Sequence, residues 1–174
     1  MLGSVFPDVR RIDKKLSRKD THACFSDIDL NFTGLNDFQA GWKFHLYCDM
    51  RREEILEKQN FYVLKKTTDF WHLPAKMLED ELVYEQYNNW EKIVNYFNNV
   101  NYTNHLVSRE TASLWYAINA KYFEKKPNSR SISIFLYKLP DWSGLADEVV
   151  DVIDELRKNK QVTKILKNVY KDIV

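Results

Sequence analysis

Apolar residues recur at helical spacing over most of the chain and predict an all-α protein. The pattern begins at Asn36. If the segment is helical, one face carries apolar and small residues together with His, Cys, Asp and Arg, and the opposite face is mainly charged. The first face consists of Phe38, Gly41, His45, Cys48, Asp49, Arg52 and Leu56. A helix is therefore predicted from Asn36 onward.

Further segments of the chain show the same period. An apolar stripe predicts a helix from about Glu79 to Asn98, and another predicts one from Arg109 to Glu124, closed by Pro127. Residues 131–139 fit either period and are assigned to a helix, whereas residues 61–78 are ambiguous and Pro74 is expected to break any helix there. Two final helices are lined by Leu145, Val149, Val152 and Leu156, and by Val162, Ile165, Val169 and Ile173.

Composition supports a helical body with a large aromatic core. The chain has 174 residues, with 4 Gly, 4 Pro and 14% aromatic residues, which is unlike a turn-rich β-sandwich. We expect one helical domain over residues 1–174, a bundle of about six helices behind a long irregular N-terminal segment, residues 1–36. That segment is either a loop wrapped around an ion or a frayed terminus, and composition leaves both open.

Charge and cysteine content limit the partners and the location. The 26 basic and 25 acidic residues give a net charge of +1, and no basic stripe is present, so binding to a nucleic-acid duplex is not expected. Arg10 and Arg11 with Lys14 and Lys15 are interpreted as a solvated loop. No signal peptide or transmembrane run is found, and two cysteines make no disulfide framework, so a cytoplasmic protein is expected. The oligomeric state stays open.

Histidine and aspartate at one-turn spacing form the main chemical signal. His45 and Asp49 lie four residues apart and can point at one spot from the same helix face. Asp8 and His22 lie in the irregular segment, and imidazole nitrogen with carboxylate oxygen suits a zinc-type ion. An isolated pair of this kind is also explained by a partly buried His bonded to its helix neighbour. Cys48 is an alternative ligand, although a small buried apolar residue is the preferred interpretation.

An ordered set of short motifs resembles the zinc-dependent phospholipase C family, in particular its small cytoplasmic members. The motifs are Gly3-Ser4-Val5-Phe6-Pro7-Asp8, Thr21-His22 and Gly41-Trp42-Lys43-Phe44-His45-Leu46-Tyr47-Cys48-Asp49, within roughly the first 60 residues. The resemblance implies an all-α fold and hydrolysis of a small phosphoester. It also implies zinc, or another divalent transition metal, bound by Asp8, His22, His45 and Asp49.

The expected mechanism follows from the charge of such an ion. A bound zinc supplies hydroxide from water near neutral pH, Asp49 or Asp8 accepts the proton, and Arg52 or Lys14 stabilises developing negative charge. Two alternatives remain open. One is a His-Asp type nucleotide phosphohydrolase, although no histidine here is followed directly by Asp. The other is a non-catalytic helical interaction module with a structural metal.

Overall fold

The computed structural model describes residues 2–64, 72–100 and 105–173, and confirms the all-α fold class. Within these residues there are eight α-helices and no strand. The α-helices are α1 (Arg18–His22), α2 (Asp37–Lys58), α3 (His72–Val83), α4 (Trp90–Asn98), α5 (Arg109–Phe123), α6 (Ser129–Tyr137), α7 (Ala146–Lys158) and α8 (Lys160–Asp172). Short 3-10 helices lie at Leu2–Ser4, Phe6–Arg11, Phe61–Val63, Tyr84–Gln86 and Ser143–Leu145.

Strong periodicity located several helices to within a few residues. Helix α2 begins one residue after the predicted start, and α5 ends one residue before its predicted end. Residues assigned to a helix from the ambiguous run 131–139 form α6, which begins behind a reciprocal cap between Asn128 and Ser131. The two final predicted helices are α7 and α8, and Asn159 caps α8 by accepting bonds from Gln161 and Val162.

The predicted single helix from Glu79 to Asn98 is wrong. Helix α3 ends at Val83 and α4 begins at Trp90, because the backbone becomes extended at Tyr87 (φ −121°, ψ 130°) before Asn89 starts the next helix. The apolar stripe continued at the same spacing across this break, so periodicity alone did not reveal it.

Pro74 does not break a helix, contrary to the prediction. It lies in the first turn of α3, where the backbone N–H groups have no partner within the helix and the missing donor therefore costs little. The ambiguous segment 61–78 thus contains a 3-10 helix and the start of α3, while its residues 65–71 lie outside the described residues.

The N-terminal segment is not irregular throughout. Two 3-10 helices and α1 occupy much of residues 2–22, and Phe6 and Val9 are fully buried. Burial of these side chains removes them from water and excludes a frayed terminus for this part of the chain. The expected long irregular segment is therefore shorter than predicted.

The Cα positions of the described residues group into two compact units. One is drawn from Met1–Asp49, Asn89–Glu124 and Leu139–Asp141, and the other from Met50–Asn88, Lys125–Lys138 and Trp142–Val174. Each unit combines segments that alternate along the sequence, so neither is a separate stretch of chain. The single domain predicted for residues 1–174 stays a prediction.

The first unit contains the N-terminal segments. Helix α4 packs on α5, and the 3-10 helix Phe6–Arg11 packs against both α5 and α1. Two side chains of α5 form hydrogen bonds with the N-terminal backbone. Trp115 Nε1 donates to the carbonyl of Val5 (2.8 Å), and the Tyr116 hydroxyl donates to the carbonyl of Leu2 (3.2 Å).

The second unit is built from α3, α6, α7 and α8. Helix α3 packs on both α7 and α8, and α6 packs on α7. Buried side chains of α7 and α8 fill the interior, among them Val149, Ile153, Leu156, Val162 and Leu166. In the described part of the chain, none of the helices has the length and apolar character needed to cross a bilayer.

Candidate metal site

Helix α2 brings His45 and Asp49 together, as their spacing predicted. One helical turn separates them, and His45 Nε2 lies 3.5 Å from Asp49 Oδ2. The side chain of His45 is 10% exposed and that of Asp49 is 26% exposed. The pair therefore lies at a partly buried position, where water competes only weakly with other ligands for these two side chains.

Close packing of two glycines orients the His45 imidazole. A Cβ on Gly3 would lie 1.9 Å from the Phe38 carbonyl oxygen, and one on Gly41 would lie 3.1 Å from Ser4 N. The small residues let the N-terminal backbone lie directly on α2. The carbonyl of Ser4 consequently reaches His45 Nδ1 at 2.8 Å.

This contact determines which nitrogen of His45 is available. A carbonyl oxygen can only accept, so Nδ1 carries a proton, and in the neutral tautomer with this bond Nε2 is the unprotonated nitrogen. A backbone carbonyl bonded to the far nitrogen is the usual partner that orients a metal-binding histidine.

His22 is held beside His45 by a bond from α2. Trp42 Nε1 donates to the carbonyl of Thr21 (2.7 Å), which anchors the end of α1. The Thr21 hydroxyl lies 2.8 Å from His22 Nδ1 and 3.5 Å from the Arg18 carbonyl, so it can accept from the ring while donating to the carbonyl. In that arrangement His22 also presents an unprotonated Nε2.

Asp8 completes the group from the 3-10 helix Phe6–Arg11. Its neighbour Phe6 packs edge-on against Phe38 and Trp42 of α2, with ring centroids 5.1 and 4.8 Å apart. Asp8, His22 and His45 each offer a ligand atom within 4.8 Å of the other two. Three segments far apart in the sequence thus meet at one place.

The four predicted ligands, Asp8, His22, His45 and Asp49, are called the His–Asp cluster below. Asp49 lies outside the mutually close trio, but its Oδ2 is 3.5 Å from His45 Nε2 and 3.9 Å from His22 Nε2. Tetrahedral ligands at about 2.0–2.1 Å from zinc are roughly 3.3 Å from one another. Asp49 Oδ2 is therefore close to ligand spacing from both histidines, although Asp49 does not belong with Asp8 in the mutually close trio.

Two orphaned nitrogens give the strongest sign that an ion fits here. His22 Nε2 and His45 Nε2 are both buried and have no hydrogen-bond partner among the described residues. Leaving buried polar atoms unpaired costs on the order of 1–3 kcal/mol each, so two such atoms near two carboxylates call for a shared partner. A divalent cation satisfies all of these groups at once.

Burial and neighbouring charge keep His22 neutral. Burial, then the positive charge of Arg18 and the proximity of His45, lower the pKa of His22 from 6.5 to about 4, although Asp8 opposes the shift. His22 is therefore neutral at pH 7. Neutral imidazole is the form that binds a metal, so little competition from protons is expected at this ligand.

Arg10 also lies at the His–Asp cluster, although the sequence assigned it to a solvated loop. Its Nη2 is 3.6 Å from Asp8 Oδ1, and burial followed by the charge of Arg11 lowers its pKa. The side chain is 19% exposed, so it is not a solvated cation. The signal that could have found it is its position two residues after Asp8 on a 3-10 turn.

The remaining residues considered for chemistry have other contacts. Arg52, predicted to stabilise negative charge, is buried and bonded to Glu79 (2.6 Å) and Glu53 (2.9 Å). Lys14 is 68% exposed and pairs with Asp141 (3.6 Å). The catalytic role of Arg52 stays a prediction. Cys48 is half-buried and does not belong to the trio of mutually close ligand atoms in the described chain.

No family model, curated protein or solved structure matches this chain. The resemblance to zinc-dependent phospholipases C therefore remains an expectation based on the three motifs. The geometry of the His–Asp cluster is the observation from which a function can be argued.

Proposed function

We propose that the protein is a metal-dependent hydrolase that acts on a small phosphoester. Zinc, or another divalent transition metal, would be bound by Asp8, His22, His45 and Asp49. The observation that carries the proposal is the pair of buried Nε2 atoms of His22 and His45, which have no hydrogen-bond partner among the described residues and lie beside the carboxylates of Asp8 and Asp49.

The ligand types agree with this choice of ion. Two imidazoles and two carboxylates suit zinc and similar transition metals, whereas calcium and magnesium prefer oxygen ligands throughout. Structural zinc sites are usually richer in cysteine, and neither Cys24 nor Cys48 belongs to the described trio. The lack of cysteine in this trio favours a catalytic ion, which would bind its water at a further coordination position beside the four ligands.

His22, His45 and Asp49 each have a specific role in this mechanism. When bound, the ion supplies Lewis-acid activation of water and of a phosphoryl oxygen near neutral pH. His45 and His22 offer Nε2 lone pairs, because the Ser4 carbonyl and the Thr21 hydroxyl occupy their Nδ1 atoms. Asp49, with 26% of its side chain exposed, accepts the proton that the attacking water releases.

Metal binding tests the site directly. Purified protein is stripped with a chelator and titrated with Co²⁺, whose visible absorption reports tetrahedral nitrogen and oxygen ligands. We expect one ion per chain in the wild type and a loss of affinity of at least about a hundredfold in His45→Ala and in His22→Ala, because each change removes a direct ligand. His105→Ala is the matched control, since His105 is exposed and outside the cluster.

Hydrolysis tests the reaction. Zinc-loaded wild type is expected to cleave p-nitrophenyl phosphate or bis-p-nitrophenyl phosphate, and His45→Ala is expected to lose that activity while His105→Ala retains it. Activity that persists in thoroughly metal-free protein contradicts the scheme. Tight binding of one ion without any hydrolysis would instead favour the interaction module with a structural metal.

A further inference from the structure

Arg10 is a partly buried cation with unused hydrogen-bonding capacity beside the His–Asp cluster. Its Nε is buried and has no partner among the described residues, and the ion-pair distance from Nη2 to Asp8, 3.6 Å, is too long for a hydrogen bond. Arg52 behaves differently, because it donates to Glu79 at 2.6 Å and to Glu53 at 2.9 Å. Arg10 is therefore ion-paired with Asp8 but keeps an Nε–H donor without a hydrogen-bond partner among the described residues.

A guanidinium in this state is suited to an oxyanion. It carries five N–H donors in a planar fork that matches phosphate geometry, and its partial burial strengthens the interaction relative to bulk water. The side chain as a whole remains 19% exposed, so part of it is within reach of a ligand.

The surrounding charge favours an anion as well. The charges of Arg11, Arg18, Asp8 and Asp49 all act on Arg10, which places the three arginines and two carboxylates in one electrostatic neighbourhood. With a divalent ion bound, positive charge exceeds negative charge there by three formal units. A small, multiply charged anion such as a phosphoryl group balances this excess.

We propose that Arg10 forms a phosphoryl-binding subsite, so that the substrate's phosphoryl group bridges its guanidinium and the ion held by the His–Asp cluster. This inference rests on the proposed function. It extends that function by naming the residue that recognises the anionic part of the substrate, a role that the sequence had given to Arg52 or Lys14. Arg10 acts by direct contact with the phosphoryl oxygens.

Phosphate binding to the Co²⁺-loaded protein tests the subsite. Inorganic phosphate is titrated into the wild type, Arg10→Gln and Arg11→Gln while the visible spectrum of Co²⁺ is recorded. Arg11 is the matched control because its side chain is 23% exposed, close to the 19% of Arg10, yet its Nε already contacts Asp8 at 3.5 Å. We expect about a tenfold or greater loss of phosphate affinity in Arg10→Gln and less than about threefold in Arg11→Gln.

A second measurement needs no variant. Phenylglyoxal, which modifies guanidinium groups, is applied to the Co²⁺-loaded wild type with and without phosphate. The modified arginines are then identified by mass spectrometry. We expect phosphate to slow modification of Arg10 at least about fivefold and that of Arg11 less than twofold. Equal protection of both arginines, or none, overturns the subsite.

The outcomes separate the two proposals. Failure of the wild type to bind Co²⁺ rejects the metal site, and the subsite with it. Normal Co²⁺ binding in all three proteins, combined with equal phosphate affinity in the wild type and Arg10→Gln, rejects the subsite and leaves the metal site standing. An equal loss in Arg10→Gln and Arg11→Gln also rejects it, because general charge would then explain the binding.

Discussion

At the scale of single residues, the geometry of the His–Asp cluster depends on a contact that leaves no room for a side chain. A Cβ built on Gly3 would lie 1.9 Å from the carbonyl oxygen of Phe38 and 2.8 Å from the amide nitrogen of Trp42. Both atoms belong to the backbone of α2, which cannot give way as a flexible side chain would. Only glycine lets the Ser4 carbonyl approach His45 this closely.

Replacing Gly3 with alanine is therefore expected to weaken both the fold and the metal site. We expect Gly3→Ala to lower the free energy of unfolding by about 1–3 kcal/mol and to reduce Co²⁺ affinity at least about tenfold, since the Ser4 carbonyl would be pushed away. Urea unfolding and Co²⁺ titration measure the two effects. Gly144→Ala is the control, because a Cβ there meets nothing within 4 Å; equal effects of the two substitutions would contradict this account.

The sequence identified part of the site at this scale. His45 and Asp49 were predicted from helical spacing, and Asp8 and His22 came with the resemblance, which stays an expectation; the described structure brings ligand atoms of Asp8, His22 and His45 near one another. Arg10 was missed because it belongs to a short basic run, which was interpreted as a solvated loop. Its burial depends on contacts from distant segments. The bond from Ser4 to His45 was equally hidden, because it joins residues 41 positions apart.

At the scale of elements, α2 organises the site through side chains on successive turns. The N-terminal backbone packs against Gly41, and Trp42 donates a hydrogen bond that holds the end of α1. His45 and Asp49 offer the candidate ligand atoms. The Trp42 bond to the Thr21 carbonyl matters most for His22, because Thr21 is its immediate neighbour and is fully buried.

Trp42→Phe is expected to loosen α1 without removing any ligand. The substitution leaves the buried Thr21 carbonyl without its donor, so we expect a loss of about 1–2 kcal/mol in stability and a three- to tenfold loss in Co²⁺ affinity. The control is Trp90→Phe, because Trp90 stacks on Phe123 of α5 (centroids 5.1 Å apart) away from this bond. Unchanged Co²⁺ affinity in Trp42→Phe would show that α1 is positioned by other contacts.

Helical periodicity predicted elements well where caps agreed with the stripe. Helices α5 and α8, which have side-chain caps, were located in this way, whereas α7 has no side-chain cap and the run 131–139 that forms α6 fitted either period. The break between α3 and α4 was missed because Tyr87 and Trp90 keep helical spacing although the backbone at Tyr87 is extended. Pro74 was misread because its effect depends on whether it falls in the first turn or later.

At the scale of the whole molecule, the nearly balanced charge gives no strong overall field, so local groups dominate the dependence of stability on pH. His22 is such a group. Its pKa of about 4 in the folded protein lies below its ordinary value of 6.5, so the unfolded chain binds the proton more tightly. This contribution to stability is complete above pH 6.5 and is lost as the pH falls towards 4.

We therefore expect metal-free wild type to lose more stability between pH 7 and pH 5 than the variant His22→Asn does. The expected difference is about 1 kcal/mol, allowing for solvent screening at a partly exposed group. Urea unfolding at the two pH values measures it. His105→Asn serves as the control, since His105 is exposed. A wild type and His22→Asn that lose stability in parallel would show that this imidazole does not govern the response.

The bond between Ser4 and His45 has a consequence for the dynamics of the beginning of the chain. By thermodynamic reciprocity, an ion that favours the oriented imidazole must also favour the ordered N-terminal backbone, by the same factor. If the proposed ion binds, local opening of residues 2–4 and its release would be linked events. Amide exchange at residues 2–4 would then report whether an ion occupies the His–Asp cluster, which includes His45 and Asp49, more than forty residues later in the chain.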